Sequence, residues 1–417
     1  MLDPPHWQAV RLALGTASAL GLARFAYGLL LPAMRDDLRW TLAEAGAMNT
    51  ANGLGYLLGA LATAVVTRRV SATATFRWGM VLVAGALAAT ATTGDYLVLL
   101  ALRAAAGAAG AAVFIAGGVI ASRIATRTAS GAPITVYFAG AGLGIVAAGA
   151  ALPAMAAQWR LAWAILGLAA AASALAAWTA AHETPPIAIA HETPPTAIAH
   201  ETPPIAIAHE TPPARPDPAP APSGHGRARL RPLAGVTAAY LLFATGYITY
   251  ITFLSAYLAD QRAPLAQVAL TWTALGLAVI AAPLLWNRPT ARWPGTRALT
   301  ALLATLAAGA ALALLAPAPP IILASAIIYG ATFMGVPAAV TTLIRTTTPP
   351  TAWTATLSAF TVLFAAGQTA GPWLAGVLAD VTSTEATLAW TAILCAAAAA
   401  ISATSRPPGH GRRPRGN

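Results

Sequence analysis

Two arginines, Arg24 and Arg103, stand deep inside long apolar runs rich in Ala, Gly, Leu and Val. A guanidinium is costly in hydrocarbon, so in such a run it must be paired, bonded to carbonyls or turned into a polar cavity, and it marks function by default. Its planar fork of donors suits carboxylate or phosphate oxygens. The chemistry available is recognition of an anion or bias on a nearby carboxylate. The structural alternative is bonding to helix carbonyls, or pairing with Glu44, to fix helix packing. No Asp, Glu or His lies deep in any run, so the clustered nucleophile and base of an intramembrane enzyme are missing and no enzyme is expected.

Other polar side chains share these runs. Tyr27, Asn49, Asn52, Tyr137, Tyr329 and Gln368 are candidates for substrate contact, and each also suits hydrogen bonding between helices. Tyr240, Phe243, Tyr247, Tyr250, Leu254 and Tyr257 follow at alternating spacings of three and four, which places them on one helical stripe. Tyr247 and Tyr250 are the deepest of them, and a hydroxyl in lipid needs a partner in a neighbouring helix or in a substrate. Glu44 and Asp37, near helix ends, are the candidate proton carriers, followed by Asp36, Asp260 and Asp380. The single cysteine, Cys395, excludes an internal disulfide, and no metal or cofactor is expected. No GxxxxGK[ST] pattern occurs, and the chain has no lysine to complete one, which argues against ATP-driven pumping.

The elements that must position these residues are membrane helices. Hydrophobic residues make up 58% of 417 positions and charged residues 9%, a balance that many bilayer spans require. Twelve apolar runs are separable, six before residue 181 and six after residue 232, among them 12–34, 97–122 and 320–344. On these boundaries Arg24 lies about 13 Å and Arg103 about 9 Å from the outer ends of their helices, both in the outer half of the bundle. The expected fold is all-α: twelve transmembrane helices in two pseudo-symmetric six-helix bundles, over 1–180 and 233–405. A Pro-rich linker (181–232) joins them and a basic tail (406–417) follows. The linker repeats HETPP every nine residues from His182, His191, His200 and His209; polyproline II geometry holds successive histidines about 28 Å apart, which suits a spacer and not a metal site.

The net charge of +11 follows the membrane. With the amino terminus inside, 18 of the 24 arginines fall on the inner side and four (Arg35, Arg39, Arg160, Arg262) outside, so both termini are expected in the cytoplasm and no nucleic-acid partner is implied. Abundant Ala, Gly, Pro and Arg without lysine resembles the output of a GC-rich bacterial genome, which makes the membrane the bacterial plasma membrane.

Each half carries its strongest inner charge between its second and third runs, Arg68, Arg69 and Arg77 against Arg288, Arg292 and Arg297. Two such halves are the layout of a transporter built from parallel repeats. The chain here resembles the major facilitator superfamily, and within it the bacterial YbfB/YjiJ branch. The resemblance rests on GLARFAYGLLLPAM (Gly21 to Met34), NTANGLGYLLGAL (Asn49 to Leu61), GYITYITFLSAYL (Gly246 to Leu258), ATFMG (Ala331 to Gly335) and GQTAGPWLAG (Gly367 to Gly376). Arg103, Gly107 and Ala111 keep the R-xxx-G-xxx-A spacing of the superfamily's fourth helix. The loop motif between the second and third spans keeps its basic Arg68 and Arg69 but lacks the usual acid. The resemblance implies alternating-access secondary transport of a small organic solute by a monomer, with protons as the candidate coupling ion. A small organic anion is favoured by the two deep positive charges. Export of amphipathic or aromatic compounds past the tyrosines, and a non-transporting receptor or scaffold, remain the alternatives.

Overall fold

The computed structural model describes residues 4–182 and 233–405. The HETPP tract and the arginine-rich tail, with the spacer and metal readings attached to the tract, lie outside the described residues. No water meets the backbone in hydrocarbon, so each apolar run closes its hydrogen bonds on itself as a helix. The first half contains α1 (Pro5–Leu38), α2 (Leu42–Val70), α3 (Ala72–Thr90), α4 (Tyr96–Thr128), α5 (Ala132–Ala151) and α6 (Trp159–Trp178). The second contains α7 (Ala234–Asp260), α8 (Leu265–Arg292), α9 (Arg297–Leu312), α10 (Pro319–Thr347), α11 (Trp353–Asp380) and α12 (Glu385–Thr404). Among the described residues eleven of these are long and apolar enough to cross a membrane, and the 16-residue α9 is a shorter apolar helix at the twelfth position.

Several helices outrun their apolar runs. α1 spans Pro5–Leu38 where the sequence outlines 12–34, because Arg35, Asp36 and Asp37 continue the helix beyond its apolar stretch. α2 begins at a capping box: the Thr41 hydroxyl accepts from Glu44 N at 3.1 Å, and the Glu44 carboxylate accepts from Thr41 N at 2.9 Å. Asp95 caps α4 in the same sense, accepting from Val98 N at 2.9 Å. α10 breaks at Met334. Pro337 explains that break, since it offers no N–H and its ring would clash with the carbonyl of Phe333 in a continuous helix.

Alternating helix directions put the starts of α1 and α7 and the ends of α6 and α12 on one face, called here the terminal face; the opposite side is the far face. Seven described carboxylates (Asp36, Asp37, Glu44, Asp95, Asp260, Asp380, Glu385) stand at helix ends on the far face. The apolar stretches of α1 and α7 are 94% and 83% buried against 29–50% for the other nine candidate spans among the described residues, so the first helix of each half is central.

The halves meet through α2 against α11, α5 against α8, and the far part of α1 against α7. Advancing each helix by six positions turns the first pair into the second, as a two-fold relation between the halves requires. Backbones are close there: a Cβ on Gly46 would lie 2.3 Å from the Pro372 carbonyl oxygen, and one on Gly376 2.4 Å from that of Leu42. Only glycine permits that approach. α1 is wound as a π-helix over Ala17–Phe25, with Ala26 N donating to Gly21 O at 3.0 Å, and in this segment Gly21 lies against Gly144 of α5. Such π segments are often retained at functional sites.

Candidate functional site

Arg24 sits in the last turn of the π segment, 5% exposed. It is about 20 Å from the end of α1 at ~1.5 Å per residue, which is the middle of the helix and not the outer half that the 12–34 boundary suggests. Its Nη2 donates to Gln368 Oε1 of α11 at 2.7 Å, and the Tyr247 hydroxyl of α7 donates to the same oxygen at 2.9 Å. Two donors, one from each half, thus converge on one oxygen of a third helix. Arg24 Nε and Gln368 Nε2 are buried without a hydrogen-bond partner. Buried donors of this kind are few in folded proteins and call for an explanation.

The surroundings are aromatic. The Arg24 guanidinium lies 5.6 Å from the Tyr56 ring centre. Phe25 meets Phe333 edge-on at 6.1 Å, and Tyr247 stacks with Phe243, Phe364 and Phe333 at 4.9, 5.3 and 6.1 Å. Beyond Tyr56 the ring of Phe114 follows at 6.3 Å. Phe114 lines a groove of about 450 Å³ with Gly118, Ser122, Arg123, Thr126 and Phe138, which runs along α4 to the terminal face. Small-molecule sites have volumes of this order.

Arg103 is placed differently. Its Nη1 donates to the carbonyl of Ala23 at 2.5 Å, and its guanidinium lies 4.8 Å from the Tyr27 ring centre and 5.5 Å from that of Trp163. All of these partners belong to the first half, so the arginine joins α4 to α1 and α6. Asn52 reinforces the joint by donating to Arg103 O at 3.1 Å. Neither Arg24 nor Arg103 bonds Glu44, whose carboxylate serves the cap of α2.

Most of the other candidate hydroxyls bond helix backbone or a neighbouring helix. Tyr27 donates to Ala45 O at 2.7 Å, Tyr137 to Val113 O at 2.8 Å, and Tyr329 to Tyr247 O. Tyr250 meets Ser325 Oγ at 2.7 Å, and Ser325 in turn donates to Gly309 O at 2.6 Å. Asn49 crosses between halves and donates to Thr252 Oγ1 of α7, leaving its Oδ1 without a partner. Asp37 accepts from Trp159 Nε1 at 2.9 Å and from Arg160 Nη1 at 3.1 Å on the far face. Sequence reasoning passed over Tyr56, Phe333, Phe364 and Thr252. Their signal was present in part, since Tyr56 falls in the same apolar segment as Asn49 and Asn52.

The ties between halves lie from the helix midpoints to the far face. Asp380, which the sequence offers as a secondary candidate proton carrier, accepts from Leu42 N at 2.7 Å and Ala43 N at 2.9 Å, so α11 caps α2 of the other half. Thr50 donates to Thr369 O at 2.5 Å. The arrangement is two bundles closed against each other on the far side around a polar centre.

The family described as MFS_4, uncharacterised MFS-type transporter YbfB, matches residues 16–210 and 204–405. The chain belongs to this family. No curated protein sequence matches this MFS-type chain. Among solved structures it is similar to a mutant of the nucleoside transporter NupG, with a TM-score of 0.69 at 11% identity over 95% of this chain and 100% of that one. It is also similar to a bacterial homolog of the human lysosomal transporter Spinster in an inward-facing, occupied conformation, with a TM-score of 0.67 at 15% identity over 97% and 98%. At these identities the likeness is one of fold. Together they make the chain a multi-pass membrane protein of the transporter class, not an enzyme.

Proposed function

We propose that the protein is a secondary active transporter that carries a small organic anion across the plasma membrane by alternating access. It works as a monomer with both termini in the cytoplasm, and protons are the candidate driving ion. The observation that carries this reading is the Arg24 guanidinium, buried at mid-membrane between the halves with its Nε unpaired. A fork of donors in low dielectric holds a carboxylate or phosphate far better than a neutral solute. Arginines at the terminal face, including Arg123 in the groove, give the approach the same sign. Contact with the half-crossing Gln368 supplies the mechanics, since a ligand that takes Arg24 loosens one tie between the halves.

The aromatic surroundings of Arg24 favour a second reading, export of amphipathic or aromatic compounds. Nucleosides, the solute named for one structural neighbour, are neutral aromatic molecules and make a suitable comparison. Thermal stabilisation of the purified protein against organic anions, amphipathic cations and nucleosides separates the cases. A ligand at 100 times its dissociation constant stabilises by about 2.7 kcal/mol. Stabilisation by anions that is lost in Arg24→Ala supports the anion carrier; stabilisation by cations or nucleosides that survives Arg24→Ala refutes it.

A further inference from the structure

Resting on the anion reading above, we infer that the Arg24 site takes an aromatic monocarboxylate bearing no ammonium group, and that Gln368 Oε1 holds the place of one carboxylate oxygen in the empty carrier. Gln368 Oε1 already receives the two bonds a substrate oxygen would receive, from Arg24 Nη2 at 2.7 Å and from the Tyr247 hydroxyl at 2.9 Å. It fills only half of the fork, because Arg24 Nε has no partner. A carboxylate entering from the Tyr56 side takes Nε and Nη2 together, in the two-point geometry that a single amide oxygen does not provide. Displaced from the fork, the Gln368 side chain is free to turn its own unpaired Nε2 toward a ligand oxygen.

The body of the ligand follows from the walls. Tyr56 faces the guanidinium, Tyr247 shares its Gln368 oxygen, and Phe364, Phe333 and Phe25 continue from Tyr247 ring to ring, a wall that pairs well with another ring. A monoanion is selected because the Arg103 guanidinium, though its Nε and Nη2 are also unpaired, is held within the first half on Ala23 O, Tyr27 and Trp163, so a second carboxylate at Arg24 would lack a guanidinium of its own. An ammonium group is rejected for the mirror-image reason. The described carboxylates all stand at the far-face helix ends, so none is at hand to pair it.

The test uses the full-length protein in nanodiscs, with benzoate and phenylacetate as probes. Phenylalanine, benzylammonium, benzyl alcohol, acetate and succinate are the comparisons, read by thermal shift and by counterflow in proteoliposomes. Two variants probe the surrogate oxygen. Gln368→Glu places a permanent carboxylate on Arg24, so the empty protein should melt no lower than wild type while its response to benzoate falls by about 100-fold or more. Gln368→Ala frees the fork, so it should melt lower yet still respond to benzoate. Benzoate and phenylacetate responses without a phenylalanine response, together with that opposite pair of variant effects, are the expected result. A response to phenylalanine equal to that to phenylacetate overturns the exclusion of ammonium. Undiminished benzoate binding in Gln368→Glu overturns the surrogate role. Acetate or succinate acting where benzoate does not would overturn this inference and leave an anion carrier. Cations or neutral compounds acting while every anion fails would remove both.

Discussion

Opening the far face requires the carboxylate of Asp380 to leave the amino terminus of α2. Its two oxygens accept from Leu42 N at 2.7 Å and Ala43 N at 2.9 Å, so one side chain of the second half satisfies two of the donors that a helix start leaves unpaired. Hydrogen bonds to a charged group are worth roughly 1.5–3 kcal/mol each, and a negative charge near a helix start adds about 0.3–1 kcal/mol. Asp380 is exposed, so water competes and the low end applies. Asp380→Asn keeps one acceptor and loses the charge and the second acceptor, which should weaken the far-closed state by about 1.4 kcal/mol, a tenfold change in the ratio of far-closed to far-open molecules. Spin labels at Thr92→Cys and Val381→Cys, in a Cys395→Ser background that removes the only native cysteine, report the separation of the halves at this face by pulsed dipolar spectroscopy. The long-distance population should grow by that factor in Asp380→Asn. An unchanged distance distribution in a folded, monodisperse variant would refute a tie that holds the face closed.

Other expectations follow from the same packing. Arg103→Met should lower stability by about 1–3 kcal/mol through the orphaned Ala23 carbonyl and the lost ring contacts, with the ligand dissociation constant of the folded protein unchanged; a selective loss of binding would place Arg103 in the substrate site. Gly376→Val should stop counterflow and shift the far-face distances outward, because even a Cβ there would sit 2.4 Å from Leu42 O; normal counterflow would show that α2 and α11 need not close so tightly. Thr41→Ala should cost about 1 kcal/mol in a thermal melt. Glu44→Gln keeps the capping box and should leave the pH profile of uptake in place, and a displaced profile would make Glu44 a proton carrier.

The twelve helices were legible because spanning hydrocarbon demands long apolar runs, and the pairing of halves was legible from six-plus-six spacing with matched basic loops. What escaped was set by tertiary contact. Nothing in the run containing Ala17–Phe25 marks a π-helix, and the residue it packs against through Gly21, Gly144, lies over a hundred positions away. Arg24 and Gln368 were both conspicuous as polar residues in apolar runs, yet their pairing joins positions 344 apart in sequence. Arg103 had the same local look as Arg24 and proved to be bonded within its own half, because partner identity and not burial separates the two. Thr41 and Glu44 form a local capping box, whereas the sequence alone offers Glu44 as a proton carrier or an arginine partner. Asp380 stood at a helix end like any interfacial acid, and only the fold brings the start of α2 beneath it.

Among the ties from α11 to the first half, Gln368 to Arg24 at the centre and Asp380 to α2 at the end stand about 18 Å apart along the helix at ~1.5 Å per residue, with Thr50 to Thr369 O next to the first. Groups that far apart with no shared partner should contribute additively within about 0.5 kcal/mol. If Gln368→Ala costs the far-closed state about 1.5 kcal/mol, the low end for a charged donor, then combined with Asp380→Asn the loss approaches 3 kcal/mol, roughly a hundredfold in population. A combined effect no larger than either alone would mean that the two ties are not formed in the same molecules. On the proposed function, substrate bound at Arg24 would remove the central tie just as Gln368→Ala does. Asp380→Asn at saturating substrate should then show the far-face distances of the empty double variant, and substrate added to the double variant should move them little further.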